Sequence, residues 1–312
     1  MNEKKRVIIL TDISSIEPGK GEPDDAQSLI RFLFYANEFD VEGIIATYTS
    51  HGQCIFPQHI HTIIGGYQQV LPSLLKHNPH YPSAEQLASL VKTGSSVIGM
   101  DHIGADHDTE ASEHIISIVD KQDCRPVWIL IWGGAIDLAQ ALWKVSHTRT
   151  PQAFALFKQK LRIYAIADQY DETSKWIKSG HPDIFYITST LSFRGMYQGG
   201  NQLYCQPEWI REHICLGALG SLYPIYDGKD PWGDVKGLKE GDTPSFLHLL
   251  LESPGTPEDP TAAGWGGQFL QSGNQFFDLA NAEEAKASVS MWREAFQLDF
   301  AKRISWSLEE KP

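Results

Sequence analysis

Four aspartates stand where the sequence changes character. Asp12 ends the apolar run Val7-Ile8-Ile9-Leu10-Thr11, and Asp168 follows a second run, Arg162 to Ile166. Asp24 and Asp25 open a stretch in which Leu29, Phe32, Leu33 and Ala36 recur at helical spacing. Carboxylates gathered on one edge of a fold repel one another, and a cation relieves that repulsion. Hard oxygen donors suit Ca²⁺ or Mg²⁺ better than zinc. Each aspartate also has a local reading, since Asp24 or Asp25 can cap a helix and Asp12 can close a strand through an Asx-turn. Other chemistries lack their signatures. The chain has no GxGxxG, GxxxxGK[ST], GxSxG or HExxH pattern, which removes the usual dinucleotide, P-loop, serine-hydrolase and zinc-protease sites.

The elements that must position these carboxylates read as alternating strands and helices. Val7 to Thr11, Val41 to Thr47, Val127 to Ile131, Arg162 to Ile166 and Ile184 to Ile187 are β-rich apolar runs, the pattern of strands covered on both faces. Helical spacing is expected from Asp24 onward, over 59–75, 83–92 and 110–120, after Gly133-Gly134, over 207–215 and 244–251, and as one long closing helix over 282–301. The alternation predicts a single α/β domain over residues 1–312, with a mostly parallel, doubly wound sheet and helices on both faces. Ligands of such sheets sit outside the carboxyl ends of the strands, near the reversal of strand order. Asp12, Asp168 and Trp132-Gly133-Gly134 all follow strands on that edge, and His51, after the second strand, is a further pocket candidate. Trp265, flanked by Gly264, Gly266 and Gly267, is a candidate stacking surface for a sugar or base. Trp143, Trp292 and Trp306 read as packing residues.

Bulk properties narrow the partners. The 312 residues carry a formal net charge of −13 and no Lys/Arg run of five. Nucleic acid and anionic membranes are not expected as partners, because phosphate recognition needs a concentrated basic face. Cys54, Cys124, Cys205 and Cys215 form no CxxC pair, so neither a zinc ribbon nor a disulfide framework is expected. No stretch approaches the roughly 20 apolar residues of a membrane span, and the apolar run after Arg6 is too short for a signal peptide. The chain reads as cytoplasmic, and a homo-oligomer is compatible with it.

Thr11-Asp12 followed by Glu22-Pro23-Asp24-Asp25 resembles the N-terminal aspartate cluster of the nucleoside hydrolases. The likeness is closer still to the nucleoside hydrolase-like domain of a bacterial family described as cellulose-binding and linked to carbohydrate metabolism. It continues in order through Glu42–Thr47, Ile131–Gly134 with Leu138–Trp143, Ile166–Gln169, Pro182–Ile187, Phe193–Tyr197, Glu240–Leu247 and Gly264–Gly267. The resemblance implies a Ca²⁺-dependent hydrolase, with Mg²⁺ as alternative ion, that cleaves an N-glycosidic or related bond of a nucleoside or other sugar derivative. By it, Asp12, Asp25, Asp242 and the backbone carbonyl of Trp132 would ligate the ion. Asp12 would also be the general base, and Asp24, Asn201 and Gln202 would face sugar hydroxyls.

Two departures stand out. Ile13 to Gly21 enlarge the loop between Asp12 and the Asp pair, so Glu17 or Glu22 could compete as a ligand. Gly241 stands where many nucleoside hydrolases carry a histidine that protonates the departing base. A sugar-binding module that keeps the metal cradle without efficient catalysis is therefore the alternative reading.

Overall fold

Strand β1 (Lys5–Thr11) runs near the middle of an eight-stranded sheet, and its apolar residues serve two cores at once. Val7 and Ile9 point into the larger core, while Ile8 and Leu10 point into the other. The same alternation divides β4 (Val127–Ile131), where Trp128 and Leu130 face one side and Val127, Ile129 and Ile131 the other. A strand buried on both faces shows no polar alternation, because neither face meets water. The computed structural model describes residues 3–308 apart from 19, 51–52 and 229–234.

The remaining strands of the sheet are β2 (Phe39–Ala46), β3 (Val91–Thr93), β5 (Leu161–Ile166) and β6 (Phe185–Ser189), with the outer pair described below. A small separate ladder joins β7 (Tyr226–Asp227) to β8 (Lys236–Gly237). The hairpin β9 (Phe269–Ser272) and β10 (Gln275–Asp278) closes one side, giving the order β3-β2-β1-β4-β5-β6-β10-β9. All pairings in this sheet are parallel except β9 with β10. The chain runs outward from β1 to β3 and then returns to β4 on the other side of β1. The reversal therefore lies between β1 and β4, and Asp12 and Trp132 sit just beyond their ends.

Helix α1 (Asp24–Phe34) is buried along its whole length, including its polar residues. Asp24 and Asp25 in its first turn complement the positive end of the helix. The polar face holds a segment from the far end of the chain. Gln27 donates to the carbonyls of Pro224 (2.6 Å) and Gly237 (3.0 Å) and accepts from the amides of Lys239 (2.8 Å) and Glu240 (2.9 Å). Arg31 and Glu240, both fully buried, form an ion pair at 2.6 Å. Tyr223 donates to the same carboxylate at 2.5 Å and Thr243 at 3.0 Å. The φ of Glu240 is 41°, a left-handed conformation that a side chain adopts only when its surroundings impose it.

Several expected elements take other forms. The stretch 83–92 is a short helix, Ala84–Ser89, followed by β3, and 244–251 holds only the turn Pro244–Leu247. The closing helix is two, Ala282–Ser290 and Arg293–Trp306. At the break, Arg293 turns inward and donates to the carbonyls of Met196, Gly195 and Gln198, among others. Helices Pro151–Gln159 and Asp171–Gly180 were not expected from periodicity.

Removing one member of a buried ion pair leaves the other charge unpaired, at a cost of about 3–5 kcal/mol. Glu240→Ala should therefore lower unfolding stability by about that amount. Denaturant titration checks this, and a loss under 1 kcal/mol would mean that the pair does not anchor the segment.

Candidate functional site

Four buried carboxylates meet beyond the carboxyl ends of β1 and β4. Asp12 is the first residue after β1, Asp24 and Asp25 form the first turn of α1, and Asp242 is carried by the segment that α1 holds. They are between 3% and 8% exposed. Asp25 and Asp24 both act electrostatically on Asp12, and Asp25, Asp24 and Asp12 all act on Asp242, so the four are neighbours.

Each is held by a local device. The Thr11 hydroxyl donates to Asp25 in a short hydrogen bond, and Thr11 Oγ1 accepts from the Ile13 amide at 3.2 Å. Gly133 lies so close to Asp12 that a Cβ there would sit 2.6 Å from the aspartate Cβ and 2.8 Å from its Oδ1. Only glycine lets the loop after β4 pass. Ser245 Oγ donates to the Asp242 carbonyl at 2.6 Å and accepts from the Trp132 indole at 2.8 Å, which ties the Asp242 segment to the β4 loop. The enlarged loop is tied to itself, since Ser14 Oγ accepts from the Glu22 amide at 2.8 Å and donates to its carbonyl at 3.1 Å.

Three oxygens in this cluster, Asp12 Oδ1, Asp24 Oδ1 and Asp242 Oδ2, are buried without a hydrogen-bond partner. Buried polar atoms are rarely left so, and an orphaned set of hard anionic oxygens fits a divalent cation of the Ca²⁺ type. The Trp132 carbonyl accepts one hydrogen bond, from Gln169 Nε2 at 3.0 Å, which leaves a second lone pair. Among the described residues no three His, Cys, Asp or Glu side chains are already converged as a ligand set. The carboxylates are adjacent rather than drawn around one point, as their mutual repulsion dictates.

A cavity of about 280 Å³ opens beside the cluster, lined by Glu22, Asp24, Gln169, Phe193, Lys239 and Asp242 among others. The Lys239 ammonium pairs closely with Glu22 and lies 3.7 Å from Asp24 Oδ2. At Gly241 a Cβ would stand 3.2 Å from the Phe193 ring and 3.3 Å from Asp24 Oδ2. The aromatic ring thus packs closely against this glycine.

Other candidates lie elsewhere. Asp168 turns away from the cluster, with its carboxylate paired to Lys178 and accepting from the Tyr186 hydroxyl at 3.0 Å, so its neighbour Gln169 faces the cavity instead. Trp265 is a core residue, 5% exposed and packed on Phe296 with ring centroids 6.3 Å apart. Asn201 and Gln202 are exposed in a turn where Asn201 Oδ1 caps the Leu203 amide. Gln202 borders an adjoining groove rather than the carboxylate cavity. His51 falls outside the described residues. Of the two competing glutamates, Glu22 lines the cavity, whereas Glu17 is exposed and pairs with Lys20. Gln169, Phe193 and Lys239 are not among the candidates read from the sequence, although Gln169 and Phe193 lie in the blocks Ile166–Gln169 and Phe193–Tyr197 and Lys239 stands two residues before Gly241.

Burial, reinforced by the neighbouring carboxylates, raises Asp12, Asp25 and Asp242 well above the usual carboxylate range. Asp24 is pushed up to about 7 by burial and Glu22, against the pull of Lys239. Without a cation, folding therefore takes up protons at this rim. That contribution to stability is present below the ordinary value of 3.8 and is lost as pH rises through the raised values. In the presence of a chelator, Asp242→Asn should melt above the parent at pH 8, with the gap narrowing towards pH 5. Identical melting curves at both pH values would mean that the cluster carries no such repulsion.

Residues 6–269 match the family described as the cellulose-binding Sde182, nucleoside hydrolase-like domain. Among solved structures, the chain is similar to a nucleoside hydrolase-related protein from Saccharophagus degradans that is associated with carbohydrate metabolism. The identity is 32%, covering 99% of this chain and 73% of that one, with a TM-score of 0.82. The inosine-uridine preferring nucleoside hydrolase from Bacillus anthracis shares the fold at 12% identity, covering 98% of this chain and 100% of that one, with a TM-score of 0.50. No curated protein matches the chain. The aspartate-bearing α/β sheet described above is that of the Sde182 nucleoside hydrolase-like family, to which this chain belongs.

Proposed function

We propose that the chain is a Ca²⁺-dependent hydrolase of an N-glycosidic or related glycosidic bond, acting on a nucleoside or other sugar derivative. The observation that carries this reading is the set of buried carboxylates with three orphaned oxygens beside one cavity. Asp12, Asp25, Asp242 and the Trp132 carbonyl would hold the ion, with Mg²⁺ the smaller and geometrically stricter alternative. A divalent cation bound there supplies the charge that acidifies a water and orients sugar hydroxyls.

The chain's own groups do the rest. Asp12 accepts the proton of the water that attacks the anomeric carbon, the glycosidic bond breaks as the new C–O bond forms, and the leaving group departs with the bonding pair and takes its proton from solvent. Proton acceptance by a positioned carboxylate contributes about 10²–10⁴-fold. Asp24 Oδ1 accepts from a sugar hydroxyl, while Lys239 steadies the other side of that carboxylate. The Phe193 ring gives the leaving group a flat apolar wall. The family's description as cellulose-binding favours a saccharide as the sugar partner.

The absence of a side chain at Gly241, where a Cβ would already stand 3.2 Å from the Phe193 ring, favours a second reading, a saccharide-binding module with little or no turnover, since the usual leaving-group acid is missing there. Incubation with purine and pyrimidine nucleosides and with small β-glycosides in Ca²⁺ separates the two. Released base or reducing sugar supports the hydrolase; saturable binding without product supports the module. Asp12→Asn should lower turnover by about 10²–10⁴-fold, and normal turnover by that variant would remove its assigned role.

Ca²⁺ at a hundredfold its dissociation constant should stabilise the protein by about 2.7 kcal/mol. An unchanged melting temperature in excess Ca²⁺ would rule out the cradle.

A further inference from the structure

The cavity carries one charge that the reaction above does not use. All nine arginines lie among the described residues. Eight of them are paired. Arg6, Arg31, Arg125, Arg149, Arg162, Arg211 and Arg303 meet carboxylates, and Arg293 donates to backbone carbonyls. Among the described residues Arg194 alone has neither a carboxylate nor a carbonyl partner. It is exposed, lines the same cavity as Asp24 and Asp242, and has its guanidinium carbon 5.6 Å from the centre of the Phe193 ring. The other cation of the cavity, Lys239, is committed to Glu22 and Asp24. Since the carboxylates are buried and Arg194 is exposed, the cavity has an acidic floor and a cationic mouth.

A neutral sugar would leave that guanidinium unanswered. It would also pass a positive rim that gains nothing from its approach. An oxyanion on the occupant supplies the partner Arg194 lacks, because a planar guanidinium with five N–H donors fits carboxylate and phosphate oxygens. Resting on the sugar-site reading above, we propose that this cavity selects anionic sugar derivatives, with a carboxylate or phosphate group held at the mouth by Arg194 and the hydroxyls directed to the aspartate floor. Arg194 is thus a specificity-determining residue. The occupant it selects belongs to the class of sugar acids or sugar phosphates.

Titration calorimetry in Ca²⁺ at low ionic strength tests this with two matched pairs, D-glucose against D-glucuronate and D-ribose against ribose 5-phosphate. The parent should bind at least one anionic member about tenfold more tightly than its neutral partner, as a single charge-assisted contact provides. Which pair responds tells carboxylate from phosphate. The preference should shrink in 0.5 M NaCl through screening of the exposed charge. Arg194→Gln should abolish the anionic-to-neutral ratio, and Arg194→Lys should keep part of it. Melting temperatures of both variants control for folding. Binding of neutral and anionic sugars with equal affinity would overturn the proposal while leaving the sugar site intact, as would an undiminished ratio in Arg194→Gln. No binding of any of the four sugars would overturn both together.

Discussion

Four carboxylates buried at one rim, with too few donors to answer them, set the terms for the rest of this structure. Each would be more stable in water or when paired, and together they raise one another's proton affinity. Such an arrangement persists only where rigid surroundings outweigh its cost. The surroundings here are the ends of two fully buried parallel strands and the first turn of a helix with no solvent-facing side. Clusters of buried groups with strongly shifted proton affinity gather at functional sites.

The polar inner face of α1 explains how a late segment reaches an early one. Gln27 and Arg31 read as misplaced in a buried helix until their partners are counted. Together they take up the amides of Lys239 and Glu240, the carbonyls of Pro224, Gly237 and Phe296, and the Glu240 carboxylate. Ser245 then bridges Asp242 to Trp132, so the loop after β4 and the segment after β8 are joined. Glycine serves this closeness at Gly133 and Gly241, where any Cβ would press on an aspartate. At Gly241 the Phe193 ring occupies the volume next to the aspartate.

Much of this was legible in the residues, for reasons that differ by element. The central strands could be read because burial on both faces leaves them almost wholly apolar. Asp12, Asp24 and Asp25 could be read as a cluster because they are close in sequence and lie at a strand end and a helix start. Asp242 came only through family likeness, since its neighbours lie more than two hundred positions away. β3 was absorbed into a helix because three half-buried residues carry no periodicity, and the hairpin β9–β10 escaped notice because its strands alternate over only four residues each. Asp168 and Trp265 misled for one reason. A residue's place beside a strand end or a glycine pair does not fix the direction of its side chain, and a nearby Lys178 and Phe296 decided those directions.

The span between α1 and the segment it holds bears on how the protein comes to exist. The bonds from Gln27 to Lys239 and Glu240 join residues 212 and 213 positions apart, and contacts so distant form late because chain closure opposes them. During synthesis, β1, α1 and β4 emerge and can pack long before residue 242 leaves the ribosome. Throughout that interval Arg31 lacks its partner Glu240, and Asp12, Asp24 and Asp25 stand without the segment that covers them, so the nascent intermediate keeps an open, acidic end. A product truncated before residue 242 therefore lacks one of the four carboxylates of this rim.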